Sequence, residues 1–143
     1  MWTIRRSRPD EQDRLFDIWH DAVKATHGFL SRDDFEFYAR LVRDEMLPNG
    51  TFWVACDNNR PLGFIQLEGE RVEGLFVDPA HHGQNIGRAL VDHALALSPR
   101  LQLDVNERSG AVGFYRRLGF RETGYSATDG TGRPYPLVHM AIG

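Results

Sequence analysis

Hydrophobic positions recur along this chain with two periods, and the switches between them lay out its elements. Residues 2–6 alternate enough for a short first strand. Pro9-Asp10-Glu11 then reads as a helix start, with proline in the first turn and acids at the positive end of the helix dipole. Leu15, Ile18, Trp19, Ala22 and Val23 follow at the spacing of one helix face, and Gly28 breaks the helix. Ser31 offers a cap for a second helix with the stripe Phe35, Tyr38, Val42 and Met46, closed by Pro48-Asn49-Gly50. The period then shortens to two. Residues 51–56 predict a strand, residues 57–61 a turn, and residues 62–68 its antiparallel partner. Gly69-Glu70 makes a tight connection to a third strand over residues 71–77. Helical spacing resumes at Ile86, Ala89, Leu90, Ala94 and Leu97, and Leu101, Leu103 and Val105 alternate as a strand after Ser98-Pro99. That β-α-β unit calls for a parallel pair with a right-handed crossover. Ala111, Phe114, Tyr115 and Leu118 predict a fourth helix stopped by Gly119. Residues 120–127 and 137–142 predict the last strands, joined by a loop rich in glycine and proline. The pattern as a whole is an α/β fold of the α+β kind, with helices against a mixed, mostly antiparallel sheet.

Composition narrows the class. With 143 residues, 41% hydrophobic and 26% charged, the chain reads as one ordinary globular domain over residues 1–143, which sets aside disordered and low-complexity readings. A formal charge of -3 argues against a partner bound through its phosphate backbone, so no nucleic acid is expected. No apolar run approaches the ~18–20 residues of a membrane span, and no apolar leader follows Met1; no membrane partner and a cytoplasmic location are expected. Cys56 is alone, so no internal disulfide forms, in keeping with a reducing compartment. His81-His82 lacks the i, i+4 spacing of a helical zinc pair, and no metal is expected. There is no G-x-S-x-G elbow, no Walker loop and no G-x-G-x-x-G fingerprint. His20, His93 and His139 read as ordinary surface or core residues.

The stretch with chemical content is Leu75-Phe76-Val77-Asp78-Pro79-Ala80-His81-His82-Gly83-Gln84-Asn85-Ile86-Gly87-Arg88-Ala89-Leu90. A strand ends, a glycine-containing turn follows and a helix begins. Such a turn aims unpaired backbone N–H groups outward at the positive end of the helix dipole, an arrangement suited to phosphate. Strand–glycine loop–helix turns are also common plain connections, so on its own this feature leaves both readings open.

The stretch resembles the acyl-CoA-binding motif of the GNAT N-acetyltransferases, [RQ]-x-x-G-x-[GA] after a strand ending in Leu-x-Val-x-Pro. A second block, Ala111-Val112-Gly113-Phe114-Tyr115-Arg116-Arg117-Leu118-Gly119-Phe120, resembles that family's A-[IV]-x-[FL]-Y-x-[KR]-x-G-F segment. The segments 25–30 and 132–136 further resemble a small bacterial subgroup of the family. Two positions depart from the motif. His82 stands where Arg or Gln is usual, and Asn85 stands where the first glycine is usual. Asn is the side chain most tolerant of left-handed backbone, and its bulk lies where the pyrophosphate approaches.

The resemblance implies a GNAT-like fold with a splayed parallel strand pair. It implies acetyl-CoA as co-substrate and an amine acceptor, on a small molecule or a protein, in a monomer or homodimer. It places Leu75, Phe76 and Val77 along the pantetheine arm, with the Phe76 amide holding the developing oxyanion. It assigns His82, Gly83, Gln84, Asn85, Ile86, Gly87 and Arg88 to the pyrophosphate and Asn106 to the pantetheine. Tyr115 becomes the general acid, although spacing alone makes it a core residue beside Ala111 and Leu118. For the general base the first candidate is Glu73, which by itself is most simply an exposed strand carboxylate; the second is His27. Trp19, Phe29, Tyr38 and Tyr135 are candidate walls of the acceptor pocket, Trp19 being equally a core residue by its position on the buried stripe. The alternative function is a catalytically weak acyl-CoA-binding regulatory module of the same fold.

Overall fold

The protein is described by a computed structural model covering residues 2–143; Met1 lies outside the described residues. One seven-stranded sheet runs in the order β1-β2-β3-β4-β5-β7-β6. Its strands are β1 (Thr3–Arg6), β2 (Phe52–Asp57), β3 (Arg60–Glu68), β4 (Arg71–Val77), β5 (Leu101–Asn106), β6 (Arg121–Ser126) and β7 (Leu137–Ile142). Every neighbouring pair is antiparallel except β4 and β5, which are parallel and joined through a helix as the β-α-β pattern requires.

Helices cover both faces of the sheet. On one face, α1 (Gln12–Thr26) and α2 (Arg32–Leu41) pack Leu15, Ile18 and Trp19 against Val54, Cys56 and Phe64. On the other, α3 (Ile86–Leu97) and α4 (Ala111–Arg117) bring Leu90, Val91 and Tyr115 onto Ile65, Leu103 and Met140. The period-two alternation sends Val54 and Phe64 to one core and Ala55 and Ile65 to the other, and all four are fully buried. A strand buried on both faces carries a continuous apolar run, and β3 does so from Leu62 to Ile65. Ser31 caps α2 as expected, its hydroxyl accepting from Asp34 N–H at 3.1 Å. The helical path then widens over Val42–Met46 before a last turn, Leu47–Asn49.

The hairpin between β2 and β3 is tighter than its sequence suggests. Asn58 and Asn59 both take positive φ, 49° and 64°, so two residues complete the reversal and Asp57 already pairs with Arg60. Pro61 therefore lies inside β3. A register shift between Ala55 and Cys56 sits beside it and accommodates its missing N–H.

Leu90 is fully buried between α3 and the sheet. Leu90→Ala removes that packing and is expected to lower stability by about 2–5 kcal/mol, read by urea unfolding.

Candidate active site

The sheet is interrupted between β4 and β5. The two strands register at a single position, Arg71 opposite Gln102, with Gln102 N–H donating to Glu70 O at 2.9 Å. On its other side β4 changes register against β3. Gly74 faces Gln66 and Val72 faces Leu67, which leaves Glu73 as an extra residue. A bulge of this kind bends the strand that carries it and increases its twist. Beyond it, β4 and β5 diverge.

The hydrogen-bond phase of β4 follows from one contact. Asp78 N–H donates to Leu62 O at 2.8 Å, so by the alternation of an antiparallel ladder Phe76 and Gly74 also face β3. Leu75 and Val77 turn their N–H and C=O groups toward the gap. On β5, Gln102 faces β4, and by the same alternation so do Asp104 and Asn106. This corrects the expectation for the Phe76 amide: it faces Phe64, and the donor facing the gap beside it belongs to Leu75. The Phe76 side chain still lines the cleft.

At the open end of the gap the chain makes the turn that the motif calls for. The turn's own hydrogen bonds end with His82 N–H to Pro79 O at 3.2 Å, and the α3 ladder begins with Ala89 N–H to Asn85 O at 3.0 Å. The amides of residues 83–88 lie between these two bonds, at the positive end of α3. Gly83 has φ of 85°, and Asn85 precedes the helix in the left-handed region at φ 61°. Asparagine thus keeps the backbone shape at the motif's glycine position. Gly87 has a packing reason. A Cβ there would stand 3.3 Å from the Phe114 ring of α4, so a hydrogen lets α3 close onto α4. The free amides and the unpaired edges of the gap suit a diphosphate with an extended amide-bearing arm.

The loop is tied down at its start. Arg14 of α1 donates to Asp78 Oδ2 at 2.8 Å and to Pro61 O at 2.9 Å, while Asp78 Oδ1 accepts from Ala80 N–H. Burial pushes the Asp78 carboxyl up, but the Arg14 guanidinium and the Ala80 amide outweigh it and the net shift is downward.

A cleft of about 480 Å³ joins the gap to this loop. Leu75, Phe76, Val77, His82, Gly83, Asn85, Ile86, Gly87 and Arg88 line it, as do Tyr115 and His27. Gln84 and Asn106 do not. Asn106 instead turns its side-chain oxygen onto Arg108 N–H at 2.9 Å, capping the turn after β5. Tyr115 is 7% exposed, and burial raises its phenol well above the ordinary value, so it is held protonated. His27 is turned by its neighbour. Thr26 Oγ1 donates to Ala22 O at 2.9 Å and so accepts from His27 Nδ1–H at 2.6 Å, leaving Nε2 unprotonated. Burial lowers its pKa and favours the neutral ring.

The remaining expected residues fall in different places. Glu73 takes no part in the cleft wall; it pairs with Arg71 at 3.2 Å. Trp19 is 4% exposed and stacks near Phe16 and Phe35 in the core under α1, so it walls no pocket. Phe29, Tyr38 and Tyr135 do come together, with ring centroids 5.9 Å apart for Phe29–Tyr135 and 6.3 Å for Tyr38–Tyr135. Hydrogen bonds hold this cluster. Tyr38 donates to Asp129, Tyr135 donates to Asp34, and Arg133 Nε donates to the other Asp34 oxygen at 2.8 Å. Burial, followed by the Asp129 contact, pushes the Tyr38 phenol up to about 12. The loop before β7 is thereby latched onto α2.

Two features have no motif in the sequence: the Arg14–Asp78 tie, and a hydrogen-bonded chain of Asp104, His139 and Ser126 across β5, β7 and β6. The only signal for the second is that Asp104, Ser126 and His139 are polar residues within strand patterns, and their pairing depends on strand order.

The fold and site match known proteins. The family description Acetyltransferase (GNAT) domain matches over residues 48–122. Peptidyl-lysine N-acetyltransferase YjaB of Salmonella typhimurium is 47% identical over 98% of this chain and 97% of its own. The solution structure of apo-form YjaB from Escherichia coli superposes with a TM-score of 0.94 at 44% identity, covering 99% of this chain and 97% of that one. PaiA N-acetyltransferase of Thermoplasma acidophilum, solved in complex with coenzyme A, shares the fold at a TM-score of 0.80 and 20% identity over 99% of this chain and 98% of that one. The chain belongs to the GNAT acetyltransferase family. Among the described residues, no helix is long and apolar enough to cross a membrane.

Two expectations follow. Because the Asp78 carboxyl is lowered in the folded state, its contribution is full above the ordinary carboxyl range and is lost as pH falls through the folded value. The melting temperature of the wild type should fall more steeply between about pH 5 and 2 than that of Asp78→Asn. Asn85→Gly keeps the left-handed turn and removes the side chain, and calorimetry should show tighter coenzyme A binding.

Proposed function

We propose that this protein transfers the acetyl group of acetyl-CoA to a primary amine by direct attack, and that its acceptor is a lysine side chain of a protein. The observation that carries the reading is the parted β4–β5 pair, with Leu75 and Val77 facing the opening, next to a loop of unengaged amides. The lysine acceptor is supported by the Salmonella relative, whose name specifies peptidyl-lysine.

When bound, acetyl-CoA supplies an acetyl group activated as a thioester. The amides of residues 83–88 hold the diphosphate, and the backbone groups of Leu75 and Val77 orient the arm as an added strand would. The Leu75 amide faces the gap where negative charge develops on the carbonyl oxygen. Tyr115, kept protonated by its burial, gives its proton to the departing sulfur. The clustered rings of Phe29, Tyr38 and Tyr135 offer apolar surface for the lysine stem.

The alternative, an acyl-CoA-binding module without turnover, is favoured by the Asn85 side chain at the phosphate turn. The two part in one assay. Free-thiol release from acetyl-CoA should depend on added lysine peptides; silence across peptides, polyamines and amino acids, with measurable coenzyme A binding, selects the module. Tyr115→Phe should lower kcat by about 100-fold or more while leaving coenzyme A affinity within about twofold. Unchanged turnover removes Tyr115 from the acid role.

A further inference from the structure

A groove of about 630 Å³, larger than the cleft, runs between α1 and α2. Leu15, Ile18 and Trp19 turn toward the sheet, and the neighbouring stripe of α1 carries Phe16, His20 and Lys24, with His27 just past its end. These four residues form one wall of the groove. The other wall is Phe35 and Ala39 of α2, with Arg43 just beyond that helix. Rings pave the space between. His20 meets Phe35 edge-on with centroids 5.2 Å apart, and Phe16 lies 6.1 Å from His20.

The rim of this groove is cationic, although the chain as a whole carries a formal charge of -3. Lys24, Arg32 and Arg43 stand on it against the carboxylate of Glu36. Arg32 takes up Glu36 at 3.3 Å, and His20 takes up Asp21 from the outer side of α1 at 3.1 Å. Among the described residues, neither Lys24 nor Arg43 pairs with a carboxylate. The Arg43 guanidinium lies 4.1 Å over the Phe16 ring. Stacking of this kind orients a guanidinium and leaves its N–H edge for a carboxylate. The acids near the rim are therefore committed, and two of its cations are not.

The groove also adjoins the cleft. His27 belongs to the walls of both, and its ring lies 5.3 Å from Phe29 of the aromatic cluster. From Phe16 to His27 the α1 wall spans about 16 Å, the length of roughly five extended residues. We propose that this groove docks the chain flanking the acceptor lysine and selects segments that carry acidic side chains, an inference that rests on the lysine acetyl transfer proposed above. Lys24 stands about 5 Å along the helix from His27, so it meets a carboxylate one or two residues from the lysine. Arg43, beside Phe16 at the far end, meets one about four or five residues away. Apolar side chains between those positions rest on Phe16 and Phe35. A segment with basic neighbours faces the same two cations and is disfavoured by repulsion.

The test uses the full chain and three peptides that share one lysine and differ only at its flanking positions, which hold Glu, Gln or Lys. Free-thiol release should give the wild type a kcat/KM about five- to tenfold higher on the Glu peptide than on the Gln peptide, carried by KM, and lowest on the Lys peptide. Raising salt to about 0.5 M should shrink that ratio toward one. Lys24→Gln and Arg43→Gln should each cut it about two- to threefold, and the double variant should abolish it. Each ratio is internal to one variant, so a general loss of activity or of folded protein does not move it. A wild type without preference overturns the docking groove, and so does a preference that the double variant keeps. If no peptide releases thiol, the transferase reading fails and binding decides the groove by itself. Tighter binding of a labelled Glu peptide than of the Gln peptide by fluorescence anisotropy, lost in the double variant, upholds it; equal binding overturns it. A dimer by sedimentation that dissociates in the double variant assigns the groove to a second copy of the chain and overturns the peptide reading.

Discussion

Two parallel strands stay paired only while both keep the same pleat and twist, and β4 loses that match at Glu73. Its extra residue against β3 turns the strand away from β5, and the single register position at Arg71 and Gln102 is what remains of the pairing. An unpaired edge in the middle of a sheet is ordinarily a defect, because backbone donors and acceptors need partners. Here the backbone groups of Leu75, Val77, Asp104 and Asn106 are turned toward the opening between the two strands. The cleft that Leu75, Phe76 and Val77 line opens along that divergence.

The loop keeps its shape for reasons of close packing and local charge. Arg14 reaches from α1 to Asp78 and Pro61, so the first helix clamps the point where β4 ends. Asn85 tolerates the left-handed turn before α3, and Gly87 lets α3 approach the Phe114 ring. A more distant clamp operates at α2, on the same face as α1. Asp34 is gripped by Arg133 and Tyr135, and Asp129 by Tyr38, which binds α2 to the loop between β6 and β7. The aromatic cluster is therefore assembled from three segments of chain and held at their meeting point by charge-assisted hydrogen bonds.

Buried polar groups sit on both faces of the sheet. On the α4 side a phenol sits among apolar neighbours, where burial keeps it neutral. On the other side a carboxylate, an imidazole and a hydroxyl span three strands. Burial raises the Asp104 carboxyl, but hydrogen bonds from His139 and Arg71 bring it below its ordinary value, so it stays charged.

The amino-acid pattern was enough to locate the helix faces, the parallel crossover and the strand–loop–helix turn, because periodicity, caps and glycine positions act over a few residues. The paired blocks ending at Leu90 and Phe120 likewise marked the GNAT family locally. Other features are set by contacts far apart in the chain. Glu73 stands on the strand that lines the gap, but the bulge that frees it and the arginine that takes it up depend on β3 pairing. Trp19 looks the same on a helical stripe whether it walls a pocket or fills a core. Asp104, Ser126 and His139 are separated by 13 to 35 residues and become neighbours only because β7 inserts between β5 and β6. Strand order and hydrogen-bond phase are properties of the assembled sheet, and no local pattern encodes which side chains they bring into reach.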